Sequence, residues 1–532
     1  MPTFKLDDRE IPFEQGDTII RAAHRVGIDI PHYCWHPGLS VAANCRMCLV
    51  EVMPPPGRPA MMLDVLEWDA KKGDYVPQKK PKLQPACQFA AADGLVVKSQ
   101  TSEHVTKARS AVQELLLLNH PVDCPICDQA GECRLQDYWL EHQGQKKRMR
   151  DEPVHKPKAV VFGPTIVYDA ERCIVCTRCV RVTAELANDP VLSVRERGNL
   201  NEITVSPGRQ LDNKYTLMTE YVCPVGALTS KDFRFKARVW FLRSARTVCT
   251  GCATGCNSFT DFEPREQKVY RYRPRENLAV NKYWMCDDGM LDYRRIHENR
   301  VLSARLRGEA STREAAVEKA AELLRGKDAA SVAVVLSAEH SQEDNLALIW
   351  LAREVLGLSQ VFVTGRPEGY SDDILINPDK NANSAGVAEL VDTIKLRSFS
   401  EFESAVSGGK LDVVVSLGSE VPHKTDAVSK IRSLIALSMH EGPWAKAAAV
   451  LLPASTWAEA DGTFVNAKGL AQVSEKAIGS QGDSKPAWRL VSELAKALGR
   501  APGWRRSEDL LNAVTKTARS SAPPAPTAGA NG

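Results

Sequence analysis

The stretch from His120 to Cys133, His-Pro-Val-Asp-Cys-Pro-Ile-Cys-Asp-Gln-Ala-Gly-Glu-Cys, constrains this chain more than any other. It offers one imidazole and three thiols: His120, Cys124, Cys127 and Cys133. Two Cys separated by two residues bind a metal from one tight loop, and Pro121, Pro125 and Gly131 keep that loop out of regular structure. The chain carries 15 Cys, an odd number. Met1 leads almost directly into a strand-like Thr3 to Leu6, which leaves no room for a targeting peptide. A reducing compartment is therefore expected, and a disulfide framework is not. Once His120 is added, the donors divide into four groups of four with no Cys left over.

At 532 residues the chain is expected to hold several domains, and 43% hydrophobic with 25% charged residues is an ordinary globular composition. A formal net charge of +3 argues against nucleic acid as a main partner. The longest aliphatic runs, such as Ala447 to Leu452, are too short to cross a bilayer. Direct membrane insertion is not expected.

The first group is Cys34, Cys45, Cys48 and, after a long gap, Cys87. Phe4 to Leu6 and Ile11 to Phe13 flank the polar Asp7-Asp8-Arg9-Glu10 and predict a hairpin. Asp17 is the expected cap of a helix from Thr18 to Val26, stopped by Gly27. The gap before Cys87 contains Pro54-Pro55-Pro56-Gly57 and the charged Lys79 to Lys82, which predicts an excursion over the surface. The nearest known spacing is the plant-type [2Fe-2S] pattern, although its first gap is four residues and here it is ten. Scattered buried cysteines remain the alternative. A helix from Ser102 to Asn119, capped by Ser102, is predicted from the stripe Val105, Ala108, Val112, Leu115 and Leu116, and delivers the chain to His120. For the His120 group alone, zinc is the competing metal. The basic run from 144 to 158, with Lys146, Lys147, Arg148, Arg150, Lys156 and Lys158, is expected to be a solvated linker or a subunit contact.

Cys173, Cys176 and Cys179 form C-x2-C-x2-C, and Cys223 follows later in Cys-Pro-Val-Gly-Ala. This is the [4Fe-4S] pattern of bacterial ferredoxins, including the Pro after the distant Cys. The last group is Cys249, Cys252, Cys256 and Cys286, with Val269-Tyr270-Arg271-Tyr272 alternating like a strand between them. A second [4Fe-4S] site fits there, and a zinc ribbon is the alternative. No Cys follows Cys286. Beyond it, helices at Ser311 to Arg325 (a Ser311/Glu314 capping box) and Asn345 to Leu356 alternate with strands at Ser331 to Leu336, Val361 to Val363 and Val413 to Val415. This predicts a mostly parallel sheet covered by helices. Gly418 and Gly462 are expected in loops at strand ends, and neither sits in a nucleotide-binding pattern. The Pro/Ala-rich tail from about Ser520 is expected to be disordered.

Taken in order, the four groups resemble those of the large iron–sulfur subunit (the G subunit) of bacterial NADH:quinone oxidoreductase, respiratory complex I. The motifs that carry the resemblance are Asn44-Cys-Arg-Met-Cys48, His120-Pro-Val-Asp-Cys-Pro-Ile-Cys-Asp128, Cys173-Ile-Val-Cys-Thr-Arg-Cys179 and Cys223-Pro-Val-Gly-Ala-Leu228, over residues 1 to about 300. The resemblance implies an α+β multidomain chain. It implies a β-grasp [2Fe-2S] ferredoxin-like domain at 1–100, a [4Fe-4S] segment with one His and three Cys ligands at 101–155, and a ferredoxin-like [4Fe-4S] segment at 156–243. A molybdopterin-oxidoreductase-type [4Fe-4S] domain would follow at 244–300, a reduced α/β domain of that type at 301–515, and the tail at 516–532. It implies one [2Fe-2S] cluster on Cys34, Cys45, Cys48 and Cys87. Three [4Fe-4S] clusters would sit on His120, Cys124, Cys127 and Cys133; on Cys173, Cys176, Cys179 and Cys223; and on Cys249, Cys252, Cys256 and Cys286. The region after Cys286 is short for a complete molybdopterin-binding body and has no Cys for molybdenum, so no molybdopterin is expected.

The resemblance further implies an electron relay without catalytic residues of its own. It would be fed by a flavoprotein subunit that oxidises NADH with FMN and would discharge through a two-[4Fe-4S] ferredoxin-like subunit toward the quinone-site subunits. It would lie peripherally on the cytoplasmic side of the bacterial inner membrane. The electron-transfer subunit of an NAD-linked hydrogenase or formate dehydrogenase is the alternative. Arg46, Arg178 and Arg181 stand beside ligands and can raise cluster potentials, or they can be surface arginines.

Overall fold

The computed structural model describes residues 1–54, 59–142, 148–390 and 394–510. Pro55 to Gly57, Lys146, Lys147 and the whole 516–532 tail lie outside the described residues. The chain divides into two compact units, 1–240 and 241–532.

The first unit opens with a mixed five-stranded sheet. Thr3–Leu6 pairs antiparallel with Arg9–Pro12 and parallel with Val96–Lys98, and Leu49–Met53 and Gln84–Pro85 complete it. The predicted hairpin forms, but its turn is only Asp7-Asp8, both at positive φ; Arg9 and Glu10 belong to the strand. A two-residue loop with two left-handed residues matches the twist of the strands, and Asp tolerates that conformation. The Asp7 carboxylate also accepts from the Ser99 and Gln100 amides at 2.8 and 2.9 Å.

The sheet clasps a helix, Ile19–Arg25, in the β-grasp arrangement. Phe4, Leu6, Ile11, Ile19, Ile20, Val50 and Val97 form one buried cluster that also takes in Cys48 and Cys87. Asp17 does not cap this helix. Instead, the Ile19 and Ile20 amides donate to the carbonyls of Phe89 and Ala86, on either side of Cys87. The Asp17 carboxylate turns to the Glu14 amide and to Arg25. The excursion before Cys87 contains an antiparallel ribbon, Met62–Asp69 with Asp74–Pro81, whose residues are mostly exposed.

The helix after it runs Glu103–Leu117, with the Ser102 hydroxyl accepting from the Val105 amide as expected. Its buried face differs from the predicted stripe: Val105, Arg109 and Gln113 point inward, and Leu115 is 67% exposed. The buried polar groups have partners. Arg109 donates to the Leu49 carbonyl and the Ser99 hydroxyl, and Gln113 accepts from the Tyr33 hydroxyl and donates to the Leu135 carbonyl. Of the basic run, Arg148 pairs with Glu114, and Lys158 with Glu171 at 2.7 Å. A three-stranded antiparallel sheet of Val160–Val161, Ile166–Tyr168 and Leu228–Ser230 then frames the ferredoxin-like segment.

The second unit begins with an antiparallel sheet of Arg243–Val248, Asn257–Glu263 and Lys268–Pro274, the last containing the predicted Val269 to Tyr272. Beyond Cys286 lies an eight-stranded sheet. Six strands are parallel, in the order Val450–Pro453, Ser433–Ser438, Val413–Leu417, Val332–Ser337, Gln360–Thr364, Lys395–Arg397. Chain order reverses between Val332–Ser337 and Val413–Leu417, as in a doubly wound sheet. The helix predicted from Ser311 is Arg313–Leu324, and its cap is Thr312 because Ser311 pairs in a short strand. The helix predicted from Asn345 to Leu356 begins earlier, as Gln342–Trp350, and continues through a wider turn to Val355. Gly418 follows a strand at φ +102°, whereas Gly462 is the first residue of a strand rather than a loop. Among the described residues no helix is long and apolar enough to cross a membrane.

Asn345 is fully buried and closes the turn after the central strand. Its side chain accepts from the Ser337 amide at 2.9 Å and donates to the carbonyls of Ser337, His340 and Ser341. An Asn345→Leu chain keeps the branched outline and leaves these groups unpaired, so guanidinium denaturation should show a loss of about 2–4 kcal/mol. A loss below about 1 kcal/mol would contradict this account.

Candidate metal centres

All fifteen Cys are free. In the first group, the Cys34 amide lies 3.5 Å from the Cys45 sulfur. The Ala86 amide donates to the Cys48 carbonyl at 3.0 Å, so the Cys87 turn is held against Cys48 whatever the ribbon between them does.

In the second group, Cys124 to Ile126 is a single 3-10 turn closed by the Cys127 amide on the Cys124 carbonyl. Cys127 and Cys133 are buried. Arg238 reaches over the loop to the carbonyls of Cys127 and Pro125 at 2.6 and 2.5 Å. The His120 Nδ1 is buried and has no hydrogen-bond partner. Burial is the main cause that pushes its imidazole down to about 4, with Asp123 opposing and Arg172 assisting. The ring is therefore neutral at pH 7 and keeps a lone pair for a metal. No three His, Cys, Asp or Glu side chains among the described residues stand close enough to share one ion.

In the third group, Cys173, Cys176, Cys179 and Cys223 line one small cavity with Tyr168, Ile203 and Val225. The backbone between the thiols is turned sharply. Val175 at φ +50° and Thr177 at φ +60° are left-handed, which costs about 1–3 kcal/mol each and persists only where the surroundings impose it. In return, the Val175 amide points at the Cys173 sulfur, 3.3 Å away.

In the fourth group, Cys249 follows the Arg243–Val248 strand and Cys256 precedes the Asn257–Glu263 strand. The first three thiols therefore occupy a hairpin loop, closed by the Cys249 amide on the Cys256 carbonyl at 2.8 Å. Cys286 caps the helix Asp287–Leu291. A Cβ built on Gly289 would lie 3.3 Å from both the Cys249 and the Cys286 sulfurs. All four thiols line a cavity of ≈ 440 Å³ with Arg295, Arg366, Lys380 and Glu420. Burial raises the thiols of Cys173, Cys176 and Cys223 to about 11 and that of Cys286 to about 12. Such thiols stay protonated and inert in an empty protein, and ionise when a metal takes them.

Three of the groups are joined to one another through residues that are not themselves candidate ligands. Asp123, just before Cys124, forms a two-pronged ion pair with Arg172, just before Cys173, at 3.2 and 2.6 Å. A Cβ on Gly226 would overlap the Cys127 sulfur, so the Cys223 turn lies directly on the second group. On the other side, the Asn44 amide side chain donates to the Val175 carbonyl at 3.2 Å, linking the Cys45 loop to the Cys173 loop. The third group in sequence is thus the middle one in space. The signal is present in the sequence as charged residues abutting ligands, but nothing there indicates which charges meet.

The fold and its thiol sets define a multidomain iron–sulfur protein built from ferredoxin-type modules. Family profiles match in order: a 2Fe-2S iron-sulfur cluster binding domain at 1–102, the NADH-ubiquinone oxidoreductase-G iron-sulfur binding region at 109–148, the NADH-quinone oxidoreductase subunit 3 ferredoxin-like domain at 163–229, and molybdopterin oxidoreductase at 315–497. The resemblance to the large iron–sulfur subunit of NADH-quinone oxidoreductase is borne out by the relatives. The NADH-quinone oxidoreductase G subunit of Streptomyces coelicolor is 37% identical over 293 residues, 55% of this chain and 32% of that protein. Its counterpart in Mycobacterium tuberculosis is 37% identical over 290 residues, 54% and 33%. The 78 kDa mitochondrial NADH-ubiquinone oxidoreductase subunit of Neurospora crassa is 38% identical over 285 residues, 53% and 34%. The chain therefore spans about a third of the length of the curated relatives it matches. An NAD+-reducing [NiFe]-hydrogenase structure is 30% identical and covers 45% of this chain and 91% of its own, with a TM-score of 0.36, too low to bear on function.

If Gly226 is glycine because the Cys127 sulfur leaves no room for a side chain, Gly226→Ala should lower the iron bound per chain. Gly503→Ala, which meets only open space, should leave it unchanged. Iron assay of the two purified proteins checks this, and equal iron would refute it.

Proposed function

We propose that this chain relays single electrons in the peripheral arm of an NADH:quinone oxidoreductase and carries no substrate site of its own. Cys34, Cys45, Cys48 and Cys87 would hold a [2Fe-2S] cluster. His120, Cys124, Cys127 and Cys133 would hold a [4Fe-4S] cluster, as would Cys173, Cys176, Cys179 and Cys223, and Cys249, Cys252, Cys256 and Cys286. Bound clusters would each accept and release one electron. The observation that carries the reading is the row of three thiol sets in the first unit, joined by Asn44, by the Asp123–Arg172 pair and by the close approach at Gly226. Their spatial order is that of a wire: the binuclear set, the ferredoxin-like set, then the set that includes His120.

The protein's part is ligation, spacing and potential. Neutral His120 in place of a fourth thiolate makes its site less negative, which raises its potential relative to an all-Cys site. The partners would be an NADH/FMN flavoprotein, a ferredoxin-like subunit with two [4Fe-4S] clusters and the quinone-site subunits. The chain would lie on the cytoplasmic side of the inner membrane and reach the membrane only through those partners.

We infer no molybdopterin. In a doubly wound sheet a ligand enters where the strand order reverses. Here that crevice is lined by the chain's own charges. Glu339, after the Val332–Ser337 strand, is buried and contacts Arg295 and Arg366, each at 3.4 Å, and the Ser419 amide after the neighbouring strand. Arg366 also donates to the Thr250 carbonyl, inside the Cys249 to Cys252 loop. The crevice thus supports the fourth thiol set instead of a cofactor.

Anaerobically purified protein should carry about fourteen irons per chain, with one binuclear and several tetranuclear EPR signals after dithionite reduction. Zinc in place of iron, with no reducible signal, would overturn the reading; about ten irons would cast doubt only on the Cys249 to Cys286 site. His120→Cys should move one tetranuclear midpoint potential to a more negative value and leave the binuclear one in place, as read by EPR-monitored redox titration. An unmoved or more positive potential would count against His120 as a ligand.

A further inference from the structure

Arg178 and Arg181 flank Cys179 on the helix Arg178–Arg181. Neither is a surface arginine: Arg178 is 5% exposed and Arg181 is half-buried, whereas Arg46 is exposed. Arg178 donates through Nη1 to the carbonyl of Val222, next to Cys223, at 3.2 Å. Through Nη2 it donates to the carbonyl of Trp35, next to Cys34. Its Nε is buried without a partner. Arg181 donates through Nη2 to the carbonyls of Cys34 at 2.5 Å and Cys176 at 3.3 Å, through Nη1 to the Ser40 carbonyl, and through Nε to the Thr177 carbonyl. Each guanidinium therefore grips the backbone of both the first and the third thiol sets.

Their counter-charge is the second observation. Among the described residues no Asp or Glu pairs with either guanidinium; every partner is a carbonyl. A buried cation with only dipoles around it is expensive to maintain. Cys179 adjoins Arg178, and the carbonyls that accept from Arg181 include those of Cys34 and Cys176, one from each set. The same pair of charges acts on two metal centres.

We propose that Arg178 and Arg181 are positioning residues shared by the Cys34/Cys45/Cys48/Cys87 and Cys173/Cys176/Cys179/Cys223 centres, supplying the positive charge that both lack and raising the two reduction potentials together. The inference rests on the electron-relay reading. A positive charge between two anionic centres favours the extra electron on each.

The test is an EPR-monitored redox titration of the full, anaerobically purified chain carrying Arg178→Gln, Arg181→Gln, Arg178→Lys or Arg181→Lys. Arg9→Gln, exposed on the N-terminal hairpin, controls for loss of a charge in general. In either Gln variant the binuclear midpoint potential and that of the ferredoxin-like [4Fe-4S] signal should both move to more negative values. Lys should restore most of the shift, and Arg9→Gln should move neither. A Gln variant with wild-type iron and unmoved potentials overturns the proposal. So does a shift confined to one centre, because the charge is then not shared. If both Gln variants lose iron while both Lys variants keep it, charge compensation is supported. Loss from Gln and Lys alike overturns it, since charge then counts for nothing. A wild-type chain without iron would instead bring down the electron-relay reading itself.

Discussion

Burial of ionisable donors is the condition on which the rest of the structure depends. Thiols at the third and fourth sets are raised far enough that they stay neutral without a metal. Arg178, beside Cys179, is buried with carbonyls as its only hydrogen-bond partners. Each half of this arrangement is unfavourable alone. Clusters bound as proposed would complete this interior electrostatically and so link folding to metal loading. The loops that carry the thiols accept left-handed residues such as Val175, Thr177 and Arg46 for the same reason.

The two units solve the problem of placing a site differently. The first packs three thiol sets against one another with few regular elements, and it is held by specific contacts between loops: Asp123 with Arg172, Asn44 with Val175, Arg238 with Pro125. The second seats a single thiol set between a small antiparallel sheet and the open end of a parallel one. There Glu339 pairs with Arg295 and Arg366 at the end of the parallel strands. A buried ion-pair network of this kind is poor evidence of stability, but it does fix the Cys249 to Cys252 loop.

Legibility in the sequence follows the range of the interaction. Thiol spacing is local, and so the four groups, the Ser102 cap and the strands at Val332, Val361 and Val413 can be read directly. Caps decided by tertiary contact cannot. Asp17 loses its role because the Cys87 turn supplies two carbonyls first, and Ser311 loses it because a strand claims it. The apolar stripe is right at Val105 but misses the two polar residues that share its buried face, Arg109 and Gln113, because their hydrogen-bond partners cannot be read from a pattern of apolar residues. Arg178 and Arg181 are visible beside ligands, but their burial follows from the Trp35 to Ser40 segment, more than a hundred residues away, folding over them.

The exposed ribbon Met62–Asp69 with Asp74–Pro81 sits in the chain between Cys48 and Cys87 without disturbing either. Its base is tied off by the pairing of Leu49–Met53 with Gln84–Pro85 and by the Ala86 amide on Cys48. From the centre's side the inserted chain is a closed loop, and lengthening a closed loop costs only logarithmically in entropy. Insertion length at this position is therefore nearly free to drift. Relatives can be expected to differ most in size here, and a search for this centre by fixed Cys spacing will miss proteins that bind the same group.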